Sequence, residues 1–395
     1  MKKIFFWGPY SGYVGTIKAQ VNSAHAMVIY GGHDAVLIRA HSEFLGMENE
    51  LEERGIRLLD LGLSRYFPKL EQSGRFARRP YMLVSAIFGF FPLVCALRRE
   101  RPDIFIVNLI AVPATIACII ANIDAVQLVS VQGYPHFLGV REEVVPIWKR
   151  IENGVRKIFW NSIYPRADFV VTMTEETRKK LVDNSALEPQ RVGVLKNPVV
   201  DERMLSSGSD VVDHAWYGKE TPIIVGMGRL THQKGFDILL QAFCMVKKAG
   251  VDARLLILGE GDDGLKLKAL AESLLITDSV DFVGHKDNPF PYIANADIFV
   301  LSSRWEDPGH AIIEAAALGT PIVTTDCPHG PSELVSQGAG GWICRTGDPV
   351  DMASKIQQAL TTPNPGMQKV AKQNANQYTL RSHYQAMMNL LKDLC

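Results

Sequence analysis

The chain has no surplus of either charge: 42 Lys and Arg stand against 42 Asp and Glu in 395 residues. Without a basic excess there is no global field to collect phosphate backbones, and no nucleic-acid partner is expected. Cysteine is scarce. The six residues lie at 95, 118, 244, 327, 344 and 395 with no C-x-x-C among them, which excludes a disulfide framework or zinc site and suits reduced thiols in a cytoplasmic chain. Low-complexity tracts and short repeats are absent. Met1-Lys2-Lys3 is followed only by Ile4 to Trp7 before Gly8-Pro9, too short an apolar stretch for a secretory leader. Ile104 to Ile123 carries no charge but is broken by Asn108, Pro113 and Asn122. It reads as a buried strand and a helix leading to a second strand, not as a membrane span. Tyr81 to Leu97 is also uncharged, contains Pro92, and lies between Arg75, Arg78, Arg79 and Arg98, Arg99, Arg101. It suits either a core helix or a helix lying in a membrane interface.

What is present is a large apolar fraction, 47% against 21% charged residues, enough for two cores in a chain too long for one ordinary domain. The neutral total hides an asymmetry. Residues 1–200 carry 25 basic and 19 acidic side chains, and residues 201–395 carry 17 and 23.

Short apolar strands alternate with helical segments, the mark of a parallel sheet covered on both faces. Strands are expected at Ile4–Trp7, Ala35–Arg39, Ile104–Val107, Leu128–Val131, Phe169–Thr172 and Val192–Leu195, with a glycine-bearing loop at Gly8–Thr16 and a helix over Ile17–Tyr30. After a polar linker at Asp201–Thr221 the rhythm restarts. Strands are expected at Ile223–Met227, Arg254–Leu258, Val280–Val283, Ile298–Leu301 and Ile322–Thr325, and Gln368–Leu394 reads as helical. This implies two doubly wound Rossmann-like domains, residues 1–197 and 198–372, with a C-terminal helix in 373–395 packing back toward the first. Ligands are expected in the cleft where the carboxyl ends of the strands face each other.

Three stretches carry chemistry. Gly259-Glu260-Gly261-Asp262-Asp263-Gly264 has the glycine spacing of a dinucleotide-binding turn, but its three carboxylates stand where a pyrophosphate would lie. Gly228 to Gly235 leaves a strand with Arg229 and Lys234 positioned to converge on one diphosphate. Trp305-Glu306-Asp307-Pro308-Gly309-His310-Ala311-Ile312-Ile313-Glu314 follows another strand. It opens a helix whose bare amides from Gly309 to Ile312 form an anion cradle, with Glu306 and Glu314 beside it for hydroxyl-rich groups.

The set Gly228-Arg229-Leu230, Gln233-Lys234-Gly235-Phe236, Leu258-Gly259-Glu260-Gly261, Val283-Gly284, the E-x7-E pair Glu306/Glu314 and Gly330-Pro331-Ser332-Glu333 occurs in this order. It resembles the family 4 retaining glycosyltransferases of the GT-B fold. The wording around Trp305–Gly309 and Asp326–Pro331 is similar to the bacterial members that build O-antigen, capsule and exopolysaccharide. The resemblance is specific over 195–350 and mainly architectural over 1–195.

It implies an acceptor-binding N-terminal domain and a C-terminal domain that binds a UDP- or GDP-linked sugar. Arg229 and Lys234 would hold the donor diphosphate, Glu306 the transferred sugar, Glu314 the ribose, and Gly284, His285 and Lys286 the base. His310, Ala311 and Ile312 would lie along the cradle. Gly12 and Gly15 match the family's loop after the first strand. Gln132 occupies the position where many members have a histidine, so either Gln132 or His136 serves the acceptor side. No D-x-D is present, and no metal or other cofactor is implied, since the cations and amides stabilise the leaving phosphate.

Between Arg141 and Arg166 six basic residues face three acids, interleaved with Trp148, Ile151, Val155, Phe159 and Trp160. That pattern suits either an ordinary solvated helix or the headgroups of an anionic membrane. The expected protein is therefore a cytoplasmic transferase, peripheral on the inner face of the cell membrane, with a saccharide acceptor such as one linked to polyprenyl diphosphate. A soluble glycoside or storage-glycan synthase, an NAD-dependent oxidoreductase using Gly259–Gly264, and a non-catalytic nucleotide-sugar-binding subunit are the alternatives.

Overall fold

The computed structural model describes residues 1–9, 15–65, 87–138 and 147–392. The chain divides into two compact units. The first is Met1–Pro198 joined by the C-terminal helix, and the second is Val199–Thr379.

In the first unit seven strands form one parallel sheet: β1 (Lys3–Trp7), β2 (Asp34–Arg39), β3 (Arg57–Asp60), β4 (Ile104–Val107), β5 (Val126–Val131), β6 (Phe169–Thr172) and β7 (Val192–Val194). Their spatial order is β3-β2-β1-β4-β5-β6-β7, with Ile4 registered against Ala35 on one side and Ile104 on the other. The winding direction reverses between β1 and β4, so their carboxyl ends form the switch point where doubly wound sheets take ligands.

Alternation along β1 assigns its side chains to two cores. Ile4 and Phe6 pack with α1 (Gly15–Gly31), and Phe5 and Trp7 pack under α2 (Phe90–Glu100), α3 (Ala111–Ala121) and α4 (Ile147–Ile163). The charge-free run 104–123 is thus a buried strand and a helix.

The second unit repeats the plan. Strands β8 (Ile223–Met227), β9 (Arg254–Leu258), β10 (Val280–Gly284), β11 (Ile298–Leu301), β12 (Ile322–Thr325) and β13 (Trp342–Cys344) lie in the order β10-β9-β8-β11-β12-β13. The switch point falls between β8 and β11. Helix α5 (Phe236–Lys248) covers one face, and α7 (His310–Leu318) covers the other. Between them in sequence, α6 (Gly264–Ser273) follows β9. Helix α7 is short and alanine-rich because it is buried against both the sheet and the helix Pro365–Ala375.

Several expectations need correction. The edge strands β3 and β13 were not anticipated; β3 exposes Arg57 and Asp60 at its ends, and β13 is only three residues long. Residues 201–221 are not structureless, since Asp201 caps the helix Glu202–Ser207 by accepting from the Met204 amide. The single helix expected over Gln368–Leu394 is two, Pro365–Ala375 and α8 (Leu380–Lys392), separated by a tight turn at Asn376–Tyr378. Thr379 after that turn bridges to Val200. The expected loop Gly8–Thr16 is shorter, because Gly15 and Thr16 begin α1; Gly12 lies outside the described residues. Residues 81–86 of the uncharged stretch 81–97 also lie outside them, and the remainder contains α2, with Leu93, Val94 and Leu97 buried.

Helix α8 packs on α1 and completes the core around Ile4, Phe6 and Ile106 with Leu380, Met387 and Leu391. His383 of α8 is wholly buried there. Its Nδ1 donates to the Lys196 carbonyl at 2.8 Å, so Nε2 accepts from the Ser23 hydroxyl at 2.7 Å. Burial holds the ring pKa down, from 6.5 to about 4, against the smaller opposing effect of the Lys196 carbonyl. The unfolded chain therefore takes this proton first as pH falls. His383 costs no stability above about pH 6.5, and the cost grows toward pH 4, where it reaches on the order of 3 kcal/mol. Denaturant midpoints measured between about pH 7 and pH 5 should fall, and His383→Gln should flatten that slope. An unchanged slope in the variant would show that other groups carry the pH dependence.

Candidate functional site

The loop leaving β8 is shaped by glycines that admit other chain segments. A Cβ on Gly228 would lie 3.2 Å from Cδ and Cε of Lys234, so the lysine stem runs directly over Gly228. Gly235 sits in the left-handed region at φ 63°, and a Cβ there would fall 2.1 Å from the Ser302 carbonyl oxygen. The loop after β11 is consequently in main-chain contact with the loop after β8. Arg304 fastens the two: it donates to both carboxylate oxygens of Asp237 at 2.8 and 2.6 Å and to the His232 carbonyl at 2.8 Å. The fork geometry of guanidinium and carboxylate fixes this clamp, and it holds Asp237 below the ordinary carboxylate range despite burial. Ser302 Oγ donates to the Lys234 carbonyl, and Gln233 Nε2 donates to the Trp305 carbonyl.

This stitching brings Lys234 Nζ to 2.5 Å from Glu306 Oε1, and the Ser303 hydroxyl donates to the same oxygen at 2.5 Å. Only 15% of the Lys234 side chain and 5% of the Glu306 side chain remain exposed, so the pair is shielded from solvent screening. Ser303 is itself fixed through its carbonyl, which accepts from Thr325 Oγ1 of β12 at 2.7 Å. Gly309, at φ 92°, lets the chain turn close against Glu306 and stands at the N-cap of α7 with no side chain of its own to cap it. The first amides and the helix dipole suit an anion. His310, Ala311 and Ile312 form the first turn of α7, and Glu314 is buried just beyond it. Arg229 is exposed at the end of β8 beside Gly228. Burial pushes the nearby Cys327 thiol up to about 12, which keeps it protonated and inert as a nucleophile.

The Gly259–Gly264 loop has a different task from the one its spacing suggests. A Cβ on Gly259 would meet the Gly228 carbonyl oxygen at 2.1 Å, and one on Gly261 would meet the Leu230 carbonyl oxygen at 2.4 Å. Leu230 N donates to the Glu260 carbonyl, and Asp263 N donates back to the Leu230 carbonyl. The close approach that a pyrophosphate would need is taken by residues 228–230 of the chain itself, so the glycine spacing gives no support to a dinucleotide site. Gly259 N also donates to the Gly284 carbonyl at 2.7 Å. This ties the end of β10, with His285 and Lys286, to the same carboxyl edge.

In the first unit the switch point holds a small polar pocket. Gln132, anticipated from the sequence, lines it with Gln20, Asn108, Ser130, Asn197 and His383. Gln132 Nε2 donates to Ser130 Oγ at 2.7 Å, and Asn197 Nδ2 donates to Gln132 Oε1 at 3.0 Å. Gln20 is 1% exposed, and among the described residues neither its amide nitrogen nor its oxygen has a partner; buried amides are rarely left so. The sequence reading missed Gln20, Ser130 and Asn197. Its available signal was the run Gln20, Asn22, Ser23 on the inward side of an otherwise apolar helix. Gly15 starts α1, and His136 lies in a short turn after β5, its side chain outside the description.

Residues 214–378 match the family model described as "Glycosyl transferases group 1". The lipopolysaccharide core biosynthesis glycosyltransferase LpsE of Rhizobium meliloti is 35% identical over 141 residues, covering 36% of this chain and 40% of that protein. The N-acetylgalactosamine-N,N'-diacetylbacillosaminyl-diphospho-undecaprenol 4-alpha-N-acetylgalactosaminyltransferase of Campylobacter jejuni is 27% identical over 208 residues, 53% of this chain and 54% of that protein. The chain thus spans about half the length of these curated relatives. Among solved structures, Anabaena HepE in complex with UDP superposes with a TM-score of 0.71 at 16% identity, over 99% of this chain and all of that one. The two parallel-sheet α/β units have the GT-B fold.

Because its φ and the Ser302 carbonyl both exclude a side chain, Gly235→Ala should destabilise the second unit by on the order of 2–4 kcal/mol. A lower denaturant midpoint at unchanged slope is the expected result. A midpoint equal to that of the parent would show that the two loops separate freely.

Proposed function

We propose that the chain is a retaining glycosyltransferase that moves a sugar from a UDP- or GDP-linked donor to a saccharide acceptor in bacterial O-antigen, capsule or exopolysaccharide assembly. The observation that carries this reading is the shielded Lys234–Glu306 pair beside the glycine N-cap of α7, at the switch point of the second sheet. The match to a glycosyltransferase family model over 214–378, and relatives named for lipopolysaccharide and polyprenyl-linked glycan synthesis, support it. UDP and UDP-glucose in the HepE structures support a nucleotide-sugar donor.

In this reading the second unit binds the donor. Arg229, Lys234 and the α7 amides receive the diphosphate, Glu306 accepts hydrogen bonds from the sugar hydroxyls, and Glu314 accepts from the ribose. Gly284, His285 and Lys286 border the base. When the donor enters, the Lys234 ammonium turns from Glu306 toward a phosphate oxygen, and the sugar hydroxyls replace it on the carboxylate. The bond between the anomeric carbon and the diphosphate oxygen then breaks. Negative charge grows on the leaving phosphate, where fixed cations and amides act most strongly, and they fill the role a metal ion has elsewhere. The acceptor hydroxyl attacks from the face the diphosphate leaves, which preserves the anomeric configuration, and its proton passes to the departing phosphate oxygen.

The first unit, by the same reading, takes the acceptor. Gln132 and the unpaired Gln20 amide offer neutral hydrogen-bonding groups suited to sugar hydroxyls. Gly12 and Gly15 follow β1 in sequence, and His136 follows β5. The acceptor is carried on a lipid diphosphate, and the protein works at the cytoplasmic face of the membrane.

A panel of UDP- and GDP-sugars tests the proposal by donor hydrolysis and thermal shift. One sugar nucleotide should raise the melting temperature, and NAD should not. Lys234→Ala should slow transfer on the order of 100-fold and should also lower stability, because it leaves Glu306 buried without its partner. Lys234→Ala combined with Glu306→Gln should recover stability but not turnover. Near-normal turnover in either stable variant would overturn the phosphate assignment.

A further inference from the structure

One buried side chain of the first unit lines a pocket without a partner for either of its polar atoms. Gln20 of α1 is 1% exposed, and among the described residues neither Oε1 nor Nε2 makes a hydrogen bond. A Cβ on Gly8 would lie 2.9 Å from Gln20 Oε1 and 3.3 Å from the Cβ of Asn108. The amide therefore sits where the chain leaves β1 and β4, at the switch point of the first sheet, and it lines the pocket there. Other polar groups of that pocket are engaged with one another. Ser23 donates to His383, Asn197 donates to Gln132, and Gln132 donates to Ser130. Gln20 keeps both a donor and an acceptor unused. An unmatched buried amide is costly, and a leucine or methionine would fill the same place without that cost if packing were its only task.

Two features of the pocket limit what completes it. No charged side chain lines it, and burial keeps His383 neutral, so a carboxylate or phosphate would enter without a counter-ion. Its apolar walls are Ala19, Ile106, Leu128, Leu195 and Met387, and the space between them takes a group the size of a water or a hydroxyl rather than a sugar ring. The matching group is a short apolar arm that ends in one uncharged hydroxyl, which accepts from an N–H and donates to a carbonyl.

We infer that this pocket receives the exocyclic hydroxymethyl arm of a hexopyranose in the acceptor, its carbon against the apolar walls and its hydroxyl on the Gln20 amide. Gln20 is thereby a specificity-determining residue. A 6-deoxy sugar leaves the amide unmatched, and a uronic acid brings a charge that nothing in the pocket balances. The inference rests on the reading that the first unit takes the acceptor, and it names which acceptor sugars are taken.

The test is binding of the methyl glycosides of glucose, galactose and mannose to the full chain, followed by saturation-transfer NMR and titration. Each is measured beside its 6-deoxy and its 6-carboxylate counterpart. At least one hexoside should bind, and its two counterparts should bind about 10- to 100-fold more weakly. Gln20→Met should bring that hexoside down to the level of its 6-deoxy counterpart. The melting temperature of the variant should stay level or rise, because an unmatched polar group leaves the interior. The inference is overturned if a 6-deoxy or 6-carboxylate glycoside binds as well as the hexoside, or if Gln20→Met keeps the discrimination. It is also overturned if no hexoside binds, in which case water completes the amide. No donor is needed for these measurements. Discrimination at carbon 6 without sugar transfer would refute the proposed reaction and leave the pocket assignment standing, and transfer without that discrimination would do the reverse.

Discussion

The second unit is organised around one shielded ion pair. Lys234 and Glu306 come from loops on the two strands that flank the switch point, and neither position could be occupied by a lone charge at this depth without a severe desolvation cost. Their approach is imposed from behind: Thr325 of β12 holds the Ser303 carbonyl, Ser303 holds the Glu306 carboxylate, and Arg304 pulls the Lys234 loop inward through Asp237 and the His232 carbonyl. The pair is thus the meeting point of two loops, braced by the end of strand β12. A phosphate arriving at Lys234 exchanges one anionic partner for another, while Glu306 is released toward neutral hydroxyls. The site is set to accept a ligand that carries both an anion and hydroxyls next to it, and a bare phosphate would leave Glu306 without a donor partner in place of Lys234.

The glycines explain why this region could be read from the sequence and why part of the reading was ambiguous. A glycine spacing announces that something approaches the main chain closely, but not whether that something is a ligand or another part of the same chain. At Gly259 and Gly261 it is the backbone of Gly228 and Leu230; at Gly235 it is Ser302; at Gly309 it is the side chain of Glu306. The dinucleotide-like pattern and the phosphate-cradle pattern therefore look alike in sequence. Chemistry separates them: Glu260, Asp262 and Asp263 accompany the first, while Arg229 and Lys234 accompany the loop it packs against.

What was not legible is long-range or marginal. The central strands, from Ile4–Trp7 to Ile322–Thr325, are buried and mainly apolar because both faces are covered, and they stood out. Strand β3 has only two apolar residues between Arg57 and Asp60, and β13 is three residues long, so neither carries a pattern long enough to read. The turn at Asn376–Tyr378 interrupts a helical pattern without a proline or glycine, and tertiary contacts of Tyr378, whose carbonyl accepts from the amides of Val199 and Val200, override local propensity there. The polar pocket of the first unit joins residues as distant as Ser23 and His383. No motif marks His383, because its partners Ser23 and Lys196 are far from it in sequence. Gln132 alone was singled out, through its place after β5, and the residues around it came from segments with no motif to link them.

The two helical faces of the first sheet are closed by different means. On one, α8 returns from the far end of the sequence and covers α1, so a helix whose inward side carries Gln20, Asn22 and Ser23 is nonetheless sealed, with Asn22 satisfied through Pro198 and Arg54 and Ser23 through His383. On the other, α2, α3 and α4 cover the sheet, and nothing among the described residues covers them. Periodicity in a sequence reveals that a helix has an apolar stripe, and the usual inference is that the stripe faces the core. Helix α4 inverts this: one tryptophan anchors it, and the stripe lies outside. The difference cannot be read from spacing, because both orientations have the same period. By the same spacing Lys149, Arg150, Arg156 and Lys157 lie on the Trp160 side of the helix, where they remain exposed.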